Sequence, residues 1–209
     1  PTIGYLAGEA SYLQRARQVI LATGAYERPC PIPGWTLPGV MTAGAAQILM
    51  KAEGARLDGP VILAGSGPLL MLVACQMHRA GTPIAAILET TRWRDYGRAL
   101  PHLPGALRAS DLLWKGLAMR RELRHSGVPL FGGVTGLSCL GTDRFEAIRF
   151  ECAGREHRLE ASLLLLHEGV VPNVQITRLL RLEHEWFAPQ RYWRPILNAW
   201  GESRDPNFL

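Results

Sequence analysis

The chain has no CxxC pair: its four cysteines, Cys30, Cys75, Cys139 and Cys152, stand far apart. That absence excludes a paired redox dithiol. Cys75 falls inside an apolar helical pattern and reads as a small buried hydrophobe. Cys30 sits in a proline-rich stretch with nothing nearby to lower its pKa, and it carries no assigned role. Lysine is nearly missing too, with only Lys51 and Lys115 among 23 basic residues. The net charge of +5 and the pI near 9.4 therefore rest on scattered arginines. No aromatic platform accompanies them, so solvated faces are expected rather than a nucleic-acid surface. The six histidines (78, 102, 125, 157, 167 and 184) show no ligand spacing, which argues against a metal site. No signal peptide, membrane-length apolar run, internal repeat or low-complexity segment is present, and a soluble cytoplasmic protein is expected.

What is present is enough apolar sequence for a sizeable core, 47% of 209 residues, in one large domain or two small ones. The most informative stretch is VILAGSGPLLMLVACQMHRA at 61–80. Val61 to Ala64 is apolar throughout, as in a parallel strand buried on both faces. Gly65-Ser66-Gly67 then turns the chain, and Pro68 suits a first helical position. Leu69, Leu72, Val73, Met77 and Ala80 recur at helical spacing, with Gly81 as the stop. Ile84 to Leu88 forms a second apolar strand, ending in Glu89, 24 residues beyond Gly65. This is the layout of a dinucleotide fold. Glycines there admit backbone N–H groups to a pyrophosphate, and a carboxylate ending the second strand accepts ribose hydroxyls. Leu70 stands where the full fingerprint asks for a third small residue. An ordinary βαβ unit, with glycines that only turn the chain, is the competing interpretation.

Elsewhere, Gln18 to Gly24 reads as a buried strand ending in a glycine turn, and RPCPIPGWTLPG at 28–39 as linker or loop. Thr42 is placed to cap a helix running to about Ala52, closed by Gly54. A loop is predicted over 91–105 and a long helix over 106–126. Residues 134–160 alternate like a β-meander, and Leu163 to Leu166 forms another buried strand leading into HEGVVPN. The tail from 174 reads as helix followed by a tryptophan-rich stretch. Trp186, Trp193 and Trp200, about seven residues apart, suggest packing rather than a ligand box.

Four segments in fixed order, ATGAYERPCPIPGWTLPGV, GSGPLLM, LLLLHEGVVPN and RYWRPILNAWG, resemble the flavoprotein pyridine nucleotide-disulfide oxidoreductase superfamily. Within it they look like the amine-oxidising subgroup of opine oxidase A subunits, hydrogen cyanide synthase B subunits, D-hydroxyproline dehydrogenases and sarcosine oxidase alpha subunits. The resemblance covers essentially the whole chain. It implies an α/β fold: a Rossmann-like parallel sheet with helices and a β-meander, flanked by pieces of an FAD-binding domain. Residues 1–56 would be partial FAD domain and linker, 57–157 an NAD(P)-binding-type domain, and 158–209 the return to the FAD domain. The subgroup resembles GxGPLL, which makes Leu70 less anomalous.

The resemblance also implies site residues. Gly65, Ser66, Gly67, Pro68 and Leu69 would contact NAD or NADP, with Glu89 on a ribose. Thr23 and Gly24 would pass near FAD. Gly169, Pro172 and Asn173 fit either that role or a plain crossover loop. Arg92 and Arg94 beside Glu89 would instead make it a solvated carboxylate, or welcome a 2′-phosphate. No catalytic residue is implied, since the flavin performs the chemistry. The full-length enzyme would oxidise a small amine or amino-acid-like substrate, with partner subunits of a hetero-oligomeric oxidase and neither nucleic acid nor membrane as partner. Alternatives are a non-catalytic nucleotide-binding or assembly protein, and an NADH:acceptor reductase without a redox dithiol.

The chain starts at Pro1 and stops after Asn207-Phe208-Leu209, which reads as an internal piece of something longer. The family's N-terminal GxGxxG and its later GD motif, both grips on FAD, are not among these residues. The isolated chain is therefore expected to purify colourless. Flavin absorbance that survives gel filtration would overturn this expectation.

Overall fold

Both faces of the central strand are covered by other layers, which is why its sequence is apolar at every position. The computed structural model describes residues 1–52, 54, 57–92, 94, 95, 97, 101, 105, 110–205, 207 and 208. Its elements begin with strands β1 (Thr2–Ala7), β2 (Ala10–Arg15), β3 (Ala25–Glu27) and β4 (Val40–Thr42). Helix α1 (Ala43–Ala52), β5 (Val61–Gly65), helix α2 (Pro68–Arg79), β6 (Ile84–Glu89), helix α3 (Ser110–His125) and β7 (Leu130–Gly132) follow. Next come β8 (Thr135–Leu140), β9 (Ala147–Cys152), β10 (Arg155–Glu160), β11 (Leu163–His167) and β12 (Val170–Pro172). Helix α4 (Gln175–Leu179), β13 (His184–Phe187) and β14 (Tyr192–Pro195) complete the described set. These form two units, residues 27–169 and residues 1–26 with 170–209.

In the 27–169 unit a five-stranded sheet runs in the order β4-β11-β5-β6-β7. Every neighbouring pair is parallel. β5 and β6 lie side by side as the sequence predicts, with α2 as the connection. Alternation along β5 sorts its side chains between two cores. Val61 and Leu63 face the helices, in a cluster with Ala46, Leu70, Val73, Met77 and Leu123. Ile62 and Ala64 face the opposite way, against Phe145, Ile148 and Phe150. The second layer is the expected meander, in the order β10-β9-β8. Its β9–β10 turn uses positive φ at Ala153 and Gly154 (51° and 74°), the conformation a tight hairpin requires.

The helix signals act where the sequence places them. Thr42 Oγ1 accepts from Ala45 N–H at 3.3 Å and caps α1. Gly81 (φ 78°) closes α2, with its N–H donating to His78 O at 3.0 Å. Of the helix expected over 106–126, Ser110–His125 is described. Of the loop expected over 91–105, residues 91, 92, 94, 95, 97, 101 and 105 are described, and 94, 95, 97 and 105 are helical rather than loop.

The proline-rich stretch at 28–39 is not a loose linker. Cys139 N–H donates to Pro33 O and Phe145 N–H to Pro38 O, each at 2.8 Å, which laces the stretch to the meander. Cys30, Ile32 and Leu37 pack on the meander core. Its prolines preset the turns and leave those carbonyls as acceptors. Residues 27–52 thus pack with the central unit.

In the other unit, β1 and β2 form an antiparallel hairpin, as do β13 and β14. The buried strand expected over 18–24 is not formed. Val19 makes a lone parallel bridge to Phe208, and Ile20 is 75% exposed. A strand needs ladder partners along its edges, and among the described residues this segment makes one β-bridge, at Val19, and one further backbone bond, from Asn173 N–H to Gly24 O. Both buried apolar clusters lie within residues 27–169.

Phe150 is fully buried, at ring-centroid distances of 5.2 Å from Phe131 and 5.3 Å from His157. Phe150→Ala is expected to cost about 3–5 kcal/mol. Urea denaturation of the chain checks this, and a loss under about 1 kcal/mol would mean that the meander is not part of the core.

Candidate functional site

The glycine turn sits at the carboxyl end of β5, and its two glycines are there for different reasons. Gly65 pairs in register with His167 of β11, and a Cβ at Gly65 would overlap the His167 carbonyl oxygen. Strand packing alone therefore demands this glycine (φ 141°). Gly67 (φ 91°) is exposed, and among the described residues no atom lies within 4 Å of where its Cβ would be. That open approach is what a bound phosphate needs. Pro68 opens α2, and no side chain caps the helix among the described residues. Its first-turn N–H groups stay available, as at anion-binding helix starts. Leu69 packs against the helix-side core and Leu70 is fully buried within it. The large residue at the fingerprint's third position thus serves the core.

Ser66 leads from the turn to a carboxylate that the sequence pattern did not single out. Ser66 Oγ donates to Glu168 Oε2 at 2.8 Å, and Thr90 Oγ1 donates to Glu168 Oε1 at 2.6 Å. Ser66 follows β5, Thr90 follows β6 and Glu168 follows β11. One half-buried carboxylate therefore bridges the ends of adjacent strands across the end of β5. The available signal was a carboxylate directly after a buried apolar run (LLLLHE), the same signal that marks Glu89.

Glu89 ends β6 but is not the solvated carboxylate that neighbouring arginines would make it. It is 7% exposed and forms an ion pair with Arg120 of α3. Arg92 uses its backbone N–H on Asp95 Oδ2 at 3.0 Å. A long apolar strand delivers Glu89 into the layer beneath α3, where an unpaired carboxylate would be costly and the guanidinium supplies the charge.

A second buried pair lies behind the turn. His167 Nδ1 meets Glu27 Oε1 at 2.5 Å, with side chains 3% and 10% exposed. The other Glu27 oxygen accepts from Gly44 N–H at 2.7 Å, at the start of α1. Burial, with the charge of Glu168 adding to it, pushes the Cys30 thiol up to about 11. Cys139 is likewise raised to about 11 by burial. Neither is a nucleophile near neutral pH.

In the unit of residues 1–26 and 170–209, Thr23, Gly24 and Asn173 interlock. Thr23 Oγ1 donates to Asn173 O and Asn173 N–H to Gly24 O, each at 3.0 Å. Among the described residues no atom lies within 4 Å of a Cβ built on Gly24 (φ 69°). The seven-residue tryptophan spacing is hairpin register: Trp186 opposes Trp193, with ring centroids 5.7 Å apart. Trp200 does not join them and is 87% exposed. Among the described residues no group of three or more His, Cys, Asp or Glu could hold a metal ion. No described helix is long and apolar enough to cross a membrane.

With this geometry in place, the known proteins give it a context. The chain is 38% identical over 201 residues, 96% of its length, to an opine oxidase A subunit of Agrobacterium tumefaciens. It is 35% identical over 198 residues, 91% of its length, to the hydrogen cyanide synthase protein HcnB of Pseudomonas aeruginosa. The chain spans 40% and 42% of the lengths of these relatives. A FAD-dependent pyridine nucleotide-disulphide oxidoreductase of Desulfovibrio vulgaris matches 100% of this chain and 49% of its own, with a TM-score of 0.61 at 18% identity. No protein-family model matches the chain. The resemblance drawn from the four sequence segments is thus borne out in sequence and in fold.

The two glycines can be separated by substitution. Gly65→Ala is expected to destabilise the chain by about 3 kcal/mol or more, since strand backbones must part. Gly67→Ala is expected to cost less, about 1–3 kcal/mol, because its backbone (φ 91°, ψ 171°) is all but confined to glycine although among the described residues nothing blocks the Cβ. Thermal melts of both variants measure the difference, and equal losses would refute the assignment.

Proposed function

We propose that this chain is the nucleotide-binding portion of an FAD- and NAD(P)-linked oxidoreductase whose full-length form oxidises an amine or amino-acid-like substrate. The observation that carries this is the turn at Gly65, Ser66 and Gly67 on the carboxyl end of β5, open at Gly67 and leading into a helix start without a side-chain cap among the described residues. Chain order supports it. β5 continues to β6 and β7 on one side while β11 lies on the other, so the turn borders a topological switch point, where open α/β sheets bind ligands. Backbone donors of the α2 first turn would receive the pyrophosphate, beside Pro68 and Leu69. NAD is the favoured nucleotide, because Glu168 places negative charge at the strand ends and disfavours a 2′-phosphate, whereas the charge of Glu89 is engaged by Arg120.

Thr23 and Gly24, tied to Asn173, would line the FAD in the larger protein. The open side of Gly24 fits a close backbone approach. FAD, when bound, supplies the electron-accepting chemistry, and this chain's residues orient it. The names opine oxidase and hydrogen cyanide synthase support amine-like substrates, and their designation as subunits supports a hetero-oligomeric assembly. The burial of Glu89 against Arg120 favours a second reading, a nucleotide-binding or assembly protein without catalysis of its own.

Calorimetric titration with NADH, NADPH and ADP tests the site. NADH is expected to bind more tightly than NADPH, and Gly67→Val is expected to abolish binding by filling the phosphate approach. No heat with any of the three at millimolar ligand would refute the nucleotide site and leave the assembly reading.

A further inference from the structure

The Glu168 carboxylate is held across the mouth of the very crevice in which a dinucleotide would lie. Its anchors among the described residues are neutral hydroxyls, Ser66 at 2.8 Å and Thr90 at 2.6 Å. Ser66 lies between the two glycines of the turn. A phosphate accepting backbone N–H groups from the start of α2 would thus settle beside an anion already bonded to that turn. The cation Arg28 acts on Cys30 together with Glu168, yet both Glu168 oxygens are bonded to hydroxyls. Glu89, next to Thr90, engages Arg120, and Glu27 is engaged by His167 and Gly44.

We propose that Glu168 is the residue that sets nucleotide affinity and selectivity at this turn, a built-in anion that competes with phosphate for the crevice. This rests on the nucleotide-site reading above. It makes the unliganded chain self-satisfied: the carboxylate joins the ends of β11, β5 and β6 in the position a ligand would otherwise bridge. A nucleotide must displace or tolerate it, so each additional phosphate charge near the turn weakens binding. The ligand class that suits this site carries few charges and offers hydroxyl or amine donors to the carboxylate.

The test compares the 209-residue chain with Glu168→Gln, and with Glu168→Gln combined with Gly67→Val. Gln keeps the shape and one acceptor while removing the charge, and a thermal melt confirms that each variant is folded. NADH and ADP affinity is expected to rise about tenfold in Glu168→Gln, the scale of one removed charge contact near a surface. Adenosine, which has no phosphate, is expected to gain nothing, and the double variant to lose the gain. NADH binding by the unaltered chain with no gain in Glu168→Gln would overturn the role of Glu168 and leave the nucleotide site standing. An equal gain for adenosine would assign the effect to shape and overturn it as well. Absence of binding by both proteins would refute the nucleotide site itself.

Discussion

The close approach of β5 to β11 at Gly65 and His167 is the constraint on which the rest of the central unit depends. Because Gly65 has no side chain, the His167 carbonyl occupies the space a Cβ would fill. The same carbonyl accepts the Ser66 N–H at 2.8 Å, so the strand pairing runs into the turn. This contact joins β5 to a strand that arrives only after the whole meander. It fixes the start of α2, and it delivers Glu168, the next residue after His167, to the far side of Ser66. Without it the turn would still be glycine-rich, but no carboxylate would cross it.

A buried ion pair and a buried histidine–carboxylate hydrogen bond hold the strands' polar ends where apolar burial alone would not tolerate them. Glu27 connects the start of α1 to the end of β11 through Gly44 and His167. Arg120 reaches Glu89 from α3. In each case a charged residue closes an apolar strand or meets its end, and the burial is relieved by a partner on a neighbouring element. Such pairs contribute little net stability compared with apolar packing, yet breaking either would strand a charge inside the unit. Their main effect is on geometry: they set which strand ends turn a carboxylate toward the crevice and which turn it inward. That sorting leaves Glu168, not Glu89, as the carboxylate bonded to the turn.

Much of the central fold was legible because its signals are local or periodic. VILAG, the Pro68 start, the Gly81 stop and the Thr42 cap each specify backbone conformation within a few residues, and the structure uses all of them. The meander was legible from alternation. The proline-rich stretch is the loop its composition predicts, but its order comes from long-range bonds to residues 139 and 145, which no local pattern encodes. The strand expected over 18–24 failed for the complementary reason, since an apolar run becomes a strand only when neighbouring edges meet it. The tryptophan spacing was visible, but only the β13–β14 register showed that two of the three rings meet.

The candidate site was half legible, and the missing half follows from what a fingerprint records. Glycine positions mark where the backbone must bend or admit something, and they cannot distinguish an adjacent strand from a ligand. Here the two glycines differ along one tripeptide: Gly65 makes room for His167, while Gly67 adopts a backbone conformation that favours glycine and faces open space among the described residues. The carboxylate rule is equally incomplete, because it marks the end of the next strand in sequence, whereas the sheet brings β11 to the other side of β5. A residue 103 positions beyond Gly65 therefore reaches Ser66 across the crevice, and sequence distance conceals it. The chemistry of this turn is set as much by the strand that returns to it as by the helix that leaves it.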